Sequence, residues 1–344
     1  MTAGVKHMQN SKSSFTKSKG TMLLIGAAVF LLASAVLNIC LGASGISLGA
    51  LWRALIAGPG TSREARILWY VRLPRTAACI LAGSGLAVSG AVIQKVLANN
   101  LASPGIIGIN AGAGLAVAAC SAFGTYAAWA IAGSSFLGAM IATFLVVIVA
   151  RKSNASRTTV VLGGVAVTAC LNAITETIIT MVPDAALASV DFRVGGFSSV
   201  NQTRLLPAAI LIVAGIVVIC TLTNELDVLS LGDDTAHALG MRVAPMRNGM
   251  LTLAALLAGA SVSFAGILSF VGLIVPHMAR RIIGNESGTL IPFCAMLGAG
   301  FVTICDLAAR LIFAPYELPT GILMSFLGGP FFIWLLLKRK ETHT

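Results

Sequence analysis

The sequence predicts an all-α membrane protein, a polytopic bundle of about ten transmembrane helices, and three observations lead to this fold class. Of the 344 residues, 57% are hydrophobic and only 10% are charged, against about a quarter in an average soluble protein. Uncharged runs of about 20 residues, the length that crosses a bilayer, recur along the chain. Glycine is abundant (36 residues) and aromatic residues are few (6%), as in membrane helices that pack through small side chains.

This composition excludes a water-soluble globule and a disordered chain. The net charge of +11 could suggest nucleic-acid binding, but the basic residues lie in short clusters between apolar runs. No nucleic-acid partner is therefore expected, whereas contact with membrane lipid is expected.

Eight segments are long and apolar enough to cross the membrane once. They are 21–42, 76–97, 104–124, 128–150, 158–182, 205–223, 288–309 and 318–337. The first is longer than the core of a signal peptide, about 7–15 residues, and is predicted to be a retained helix after a cytoplasmic tail at 1–20. Residues 21–340 then form a single transmembrane domain.

The stretch 246–284 needs a different interpretation. Arginines lie at both ends of it, Arg242 and Arg247 at the start and Arg280 and Arg281 at the close, so it must leave and return if both clusters are cytoplasmic. Two crossings need roughly 60 Å of helix, and these residues give roughly 58 Å with nothing left for a turn. The returning half is therefore predicted to be short or irregular near Gly266 to Gly272.

Charge favours ten crossings over nine. With ten, both termini are cytoplasmic, and the inner segments hold 15 of the 23 Lys and Arg residues. Nine crossings would place Lys338, Arg339 and Lys340 outside, against the positive-inside tendency.

Five of the eight remaining arginines lie in one outer loop, with Glu64 as its only acid. Arg53, Arg63 and Arg66 have two interpretations, lipid headgroup contact or protein docking. Arg72 and Arg75 flank Leu73-Pro74 at the start of a helix, which favours a docking surface for an acidic partner.

Glu176 is the one acid well inside a predicted helix, near Asn172, Thr175 and Thr180. Intramembrane carboxylates are costly and often functional, so Asn172 and Glu176 are candidates for a translocation path. A proton-coupled secondary transporter is the rival class, although Glu176 has no relay partner in the sequence.

No enzyme, metal site or cofactor is expected. The sequence has no phosphate-binding loop, nucleophile elbow or HExxH motif. Its seven cysteines are isolated in apolar sequence, which is typical of buried, inert thiols.

A faint internal repeat joins Leu81-Ala82-Gly83 with Gly90 to Leu257-Ala258-Gly259 with Gly266, 176 residues later. On a ten-helix topology the two copies run in opposite directions, as an inverted repeat would.

Three segments are more specific than composition. They are RLPR (72–75) with LAGSGLAVSGAVIQKVLANNLASPGIIGINAGAG (81–114), LSLGDDTAHALGM (229–241), and FAGILSFVGLIVPHMARRIIG (264–284) continued by DLAARLIFAPYELPTGILMSFLGGPFFIWLLLKRK (306–340). Together they closely resemble the FecCD family, the permease subunits of ABC importers for iron-siderophore, haem and vitamin B12 complexes.

The resemblance implies a cytoplasmic-membrane subunit that pairs with a second permease, identical or homologous. It also implies two cytoplasmic ATP-binding subunits, where ATP hydrolysis takes place, and an extracytoplasmic substrate-binding protein. INAGAG (109–114) favours an iron-siderophore cargo, with haem and vitamin B12 as the alternatives.

The resemblance also places Arg72, Arg75 and Arg310 at positions that bridge to glutamates of the binding protein. For Arg310, pairing with Asp306 or Glu317 is the alternative, because an i, i+4 Asp–Arg pair is ordinary helix chemistry. Pro276-His277 and Glu317-Leu318-Pro319 are interpreted structurally, as a helix break and a helix start.

The inner loop 225–247 gathers the acids Glu225, Asp227, Asp233 and Asp234. Asp233 or Asp234 could cap a short helix that Gly240 ends. This helix is either a surface helix resting on the bundle or, as in similar segments of the family, a coupling helix in an ATPase groove. The coupling residues predicted are Leu231, Gly232, Asp233, Asp234, Ala236, Leu239 and Gly240.

Overall fold

The computed structural model of the chain describes residues 2–42, 47–152, 157–200 and 202–340. Its α-helices, in chain order, are α1 (Thr2–Cys40), α2 (Leu48–Ala57), α3 (Arg63–Ile67), α4 (Leu73–Val96), α5 (Ile109–Ala122), α6 (Ala128–Lys152), α7 (Arg157–Met181), α8 (Pro183–Val194), α9 (Gln202–Thr221), α10 (Thr223–Ser230), α11 (Asp233–Ala238), α12 (Val243–Ala265), α13 (Val271–Ile283), α14 (Ser287–Ile312) and α15 (Thr320–Lys340). A π-helical turn at Leu68–Arg72 leads into α4, and a 3-10 turn at Pro104–Ile107 leads into α5.

The all-α membrane fold is confirmed. Within the described residues, six stretches are long and apolar enough to span a membrane: the Lys19–Cys40 part of α1, the stretch Arg63–Val96 that ends in α4, α6 up to Val149, and all of α7, α12 and α14. The α9–α10 pair, bent by 65°, supplies a seventh. With the short apolar α5, the apolar part Thr320–Leu335 of α15 and the 13-residue α13, ten segments lie at the ten predicted positions.

Several charges counted in the topology argument belong to side chains outside the described part of the chain. They are Lys6, Lys12, Lys17, Arg151, Lys152, Lys338, Arg339 and Lys340. The prediction of a separate tail at 1–20 stays a prediction.

Helix α4 lies at the centre of the bundle, packed against α12, α13 and α14, and most of its residues are buried. Glycines allow these close approaches. A Cβ on Gly83 would lie 2.3 Å from the Gly298 carbonyl oxygen, and a Cβ on Gly90 only 1.9 Å from that of Gly272. Such backbone contacts are typical of membrane helices that associate through small residues.

The predicted irregular return is confirmed. Helix α12 ends at Ala265, residues 266–270 are not helical, and α13 has only 13 residues. The predicted break at Pro276-His277 is wrong, because α13 continues through Pro276. A proline cannot bond the carbonyl four residues back, and here that carbonyl, of Gly272, accepts a hydrogen bond from Gln94 Nε2 at 3.1 Å. The predicted helix start is confirmed, since α15 begins at Thr320, directly after Pro319.

The two copies of the faint repeat lie on neighbouring antiparallel helices. Ser89 of α4 donates to the Ala254 carbonyl of α12 at 2.7 Å, and Gly85 faces Ser261. Gly266 ends α12 with φ +67°, whereas Gly90 lies inside α4. Opposite direction is what an inverted repeat requires, and the repeat itself stays a prediction.

Candidate functional site

Three predicted residues, Arg72, Arg75 and Arg310, come together where α1 and α14 end and α4 begins. We call this the arginine end of the bundle. The three residues are 4%, 8% and 6% exposed, although the sequence places two of them in a loop. The π-helical turn before α4 directs Arg72 inward, where it donates to the Ile39 and Cys40 carbonyls.

Asp306 of α14 is the centre of this network and is fully buried. Its carboxylate accepts from Nε of Arg75 at 3.1 Å and from Nη2 at 3.0 Å. It also lies 3.2 Å from Nε of Arg310 and accepts from Thr320 at 3.0 Å. A buried charge needs this many partners, because burial removes its hydration.

The alternative considered for Arg310, pairing with Asp306, is thus observed. Glu317 instead pairs with Arg75, whose Nη1 donates to it at 2.8 Å. The Glu317 side chain is 43% exposed and lies between α14 and α15. A docking role for Arg72, Arg75 and Arg310 stays a prediction, and each of these side chains already has partners within this chain.

The other three arginines of the loop lie on its surface. Helix α2 buries Leu51 and Ala54 against Ala65 and Leu68, as a small cluster separate from the main core. Arg53, Arg63 and Arg66 are exposed. So are Trp52 (65%) and Ile56 (72%) on the outer side of α2.

At the opposite end, which we call the α11 end, the short predicted helix is present. Gly232 precedes α11 with φ +115°, and Gly240 follows it with φ +82°, so glycine permits both turns. The prediction that an aspartate side chain caps this helix is wrong, since no side-chain cap is formed. The Asp233 carboxylate is instead held by Arg157 at 3.1 Å and Arg247 at 2.9 Å.

The residues predicted for coupling divide into two sets. Ala236 and Asp233 face the rest of this chain, and Ala236 is fully buried. Leu231 and Leu239 are 62% and 63% exposed, and Asp234 and Gly240 are also exposed. Ala236 is therefore a packing residue of this chain, and the exposed side of the segment carries two leucines.

The polar network that holds α10, which carries α11, was not predicted from the sequence. Buried Lys95, at the end of α4, pairs with Asp227 of α10 and donates to the Asn285 carbonyl. Asp227 also accepts from the backbone N–H of Ser287 at 3.0 Å and from its hydroxyl at 2.7 Å. No local pattern in the sequence links Lys95 to Asp227, because 132 residues separate them.

The candidate path residues Asn172 and Glu176 lie together in a cavity of about 420 Å³. Asn110, Thr168 and Arg193 also line it. The interpretation that Glu176 lacks a basic partner is wrong, because Arg193 of α8 pairs with it at 3.0 Å. The sequence analysis missed Arg193 because α8 is an additional short helix between two predicted spans.

Comparison with known proteins identifies the class of protein. Residues 22–338 match the FecCD transport family. The Fe(3+)-citrate import system permease protein YfmE of Bacillus subtilis is 36% identical over 94% of this chain and 98% of its own length. The iron(3+)-hydroxamate import system permease protein FhuG of the same species is also 36% identical, over 92% and 97%. The vitamin B12 import system permease protein BtuC of Shigella boydii is 34% identical, over 92% and 95%.

A solved structure shares the fold. It is described as an inward-facing conformation of a candidate metal-chelate type ABC transporter, and its chain is 26% identical to this one with a TM-score of 0.82. The alignment covers 92% of this chain and 99% of that one. With the helical bundle and the match over nearly the whole length, the chain is a multi-pass membrane permease and belongs to the FecCD transport family.

Proposed function

We propose that the chain is a permease subunit of a binding-protein-dependent ABC importer. It would translocate an iron-siderophore complex across the cytoplasmic membrane, driven by ATP hydrolysis in partner subunits. The observation that carries the proposal is the α11 segment, which presents exposed Leu231 and Leu239 at one end of a permease bundle. The α11 end faces the cytoplasm, as do both termini, and the arginine end faces outward.

The α11 segment fits a helix that docks in an ATPase groove. A helix of six residues has little stability in isolation. Here Asp233 fixes it to Arg157 and Arg247, and the network of Lys95 and Asp227 fixes α10 beneath it. The exposed leucines supply apolar area for a partner, and two such permeases would engage two ATP-binding subunits.

Helix α7 supports pairing with a second permease, identical or homologous. It exposes Asn172 and Glu176 within an apolar span. Polar groups at membrane depth avoid lipid and face protein or a water-filled cavity. A path between two permeases gives these side chains such an environment, while membrane lipid covers the apolar faces.

An iron(III) chelate is the proposed cargo because relatives with 36% identity import iron citrate and iron hydroxamate. Vitamin B12 is the second candidate, since BtuC is 34% identical. An extracytoplasmic substrate-binding protein would deliver the cargo to the arginine end. The proton-coupled alternative is disfavoured because the relatives are import-system permeases and the matched structure is an ABC transporter.

The test is transport by the purified complex. The permease with its co-purified subunits would be reconstituted in proteoliposomes with the binding protein and ATP. Iron(III) hydroxamate, iron(III) citrate and vitamin B12 would be offered in parallel, and ATP-dependent uptake of an iron chelate is expected. Uptake that is independent of ATP but depends on a proton gradient would contradict the proposal. Uptake of vitamin B12 alone would show that the cargo is vitamin B12 and not an iron chelate.

A further inference from the structure

We propose that Glu317 occupies, within the undocked permease, the site at which Arg75 receives a carboxylate of the binding protein. Docking would then be an exchange of one carboxylate for another on the same guanidinium group. This inference rests on the proposed function, because it assumes a partner that docks at the arginine end.

The two sides of the Arg75 guanidinium differ in what holds them. Nε and Nη2 face Asp306, which is fully buried and also contacts Arg310, Thr320 and Asn38. Nη1 faces only Glu317 among the contacts of the described structure, at 2.8 Å. The guanidinium thus has an inner side fixed by a buried network and an outer side turned to a surface residue.

Displacing the two carboxylates has very different costs. Removing Asp306 would leave buried Arg310 without its carboxylate and would take the inner carboxylate from buried Arg75, which is strongly unfavourable. Glu317 is 43% exposed and belongs to the non-helical segment 313–319. The Arg75 side chain is only 9% exposed, but water and salt reach the Glu317 side of this pair and weaken it relative to the pairs of fully buried Asp306. Glu317 can therefore yield its place, and Asp306 cannot.

An incoming carboxylate would accept a hydrogen bond from Nη1 of Arg75, as Glu317 does now. Arginine binds carboxylates through fixed N–H groups, and Nη1 is the group whose present partner reaches the surface. The surface fits a protein that presents a glutamate or aspartate, and Glu317 competes with that residue. Glu317 follows α14 and precedes α15, so its release would also free the segment that joins these helices.

The test compares two variants that each remove one negative charge from the same side of the bundle. Glu317→Gln removes the competitor, whereas Glu64→Gln is the matched control, because the groups beside Glu64 of α3 are Ser62, Arg63 and Arg53. Binding of the purified substrate-binding protein to the reconstituted permease complex would be measured. We expect the Kd of Glu317→Gln to fall about 2- to 5-fold below that of Glu64→Gln, which corresponds to the free energy of an ion pair that water partly screens.

Glu317→Ala should act in the same direction, which separates competition from any new hydrogen bond made by glutamine. Equal Kd values for the Glu317 and Glu64 variants, or weaker binding by Glu317→Gln, would overturn the inference while leaving docking intact. No binding by the parental complex would contradict the docking proposal, and this inference with it.

Discussion

At the scale of single residues, the arginine end is organised by one carboxylate. Asp306 is fully buried and is shared by Arg75 and Arg310 from two helices. Its neighbour Glu317 pairs with the same arginine, Arg75, but the Glu317 side chain is partly exposed and is also solvated by water. The two acids should therefore differ sharply in their effect on stability.

We expect Asp306→Asn to destabilise the protein by about 3–5 kcal/mol, because buried Arg310 loses its counter-charge and buried Arg75 keeps only half-exposed Glu317. Thermal unfolding of the purified protein in detergent would measure this. Glu317→Gln is the control and should cost about 0–1 kcal/mol. Similar losses for both variants would mean that burial does not decide the strength of these pairs.

At the scale of elements, helix contacts depend on backbone approach at glycine. Gly90 of α4 lies against Gly272 at the start of α13, and α4 carries Arg75 and Lys95 of the two end networks. The α5 glycine Gly114 has no heavy atom within 4 Å of the place a Cβ would take. A methyl group added at Gly90 would therefore disturb the packing of α4 against α13, whereas one added at Gly114 of α5 would not disturb packing.

Gly90→Ala should destabilise the bundle by about 1–3 kcal/mol or more, the usual cost of overpacking, since its Cβ would meet a backbone oxygen at 1.9 Å. Gly114→Ala should be neutral or stabilise by about 0.4–1 kcal/mol. Yield of folded protein and unfolding temperature would be compared. A tolerated Gly90→Ala would mean that α4 and α13 can separate at little cost.

The α11 segment gives a second prediction at this scale. The double variant Leu231→Ser with Leu239→Ser should lose its co-purifying ATP-binding subunit while keeping the parental unfolding temperature, because both leucines are exposed. Leu55→Ser, an exposed leucine of α2, is the control and should retain the subunit. Ala236→Trp should lower the unfolding temperature instead, since Ala236 is buried. Retention of the ATPase by the double variant would exclude the leucines as its contact.

At the scale of the whole molecule, the two networks lie at opposite ends of the bundle. Helix α4 connects them, with Arg75 near its start and Lys95 near its end. In the proposed topology the two ends therefore face opposite sides of the membrane.

We expect Thr235→Cys in α11 and Thr61→Cys before α3 to be labelled from opposite sides in sealed vesicles. Both positions are exposed, and the seven native cysteines would first be replaced. An impermeant thiol reagent should reach residue 235 only from the cytoplasmic side and residue 61 only from outside. Labelling of both from one side would overturn the ten-crossing topology.

Hydrophobic run length and charge were sufficient for the sequence to determine the membrane fold. Both are local quantities, and they also located the irregular return near Gly266. The aspartates and glycines between Leu231 and Gly240 indicated the short helix that the structure places at Asp233–Ala238. The family motifs were likewise readable, because they are continuous stretches of sequence. Arg72, Arg75 and Arg310 were identified as candidates by the same route.

Only the tertiary structure decided which charges meet. Asp306 lies 231 residues from Arg75, and Asp227 lies 132 residues from Lys95, so no local pattern reveals either pair. The Pro276 prediction failed for the same reason, because the side chain that satisfies the Gly272 carbonyl comes from α4. Burial turned predicted surface arginines into a shared internal network, since a charge in a membrane bundle is stable only where other helices supply its partners.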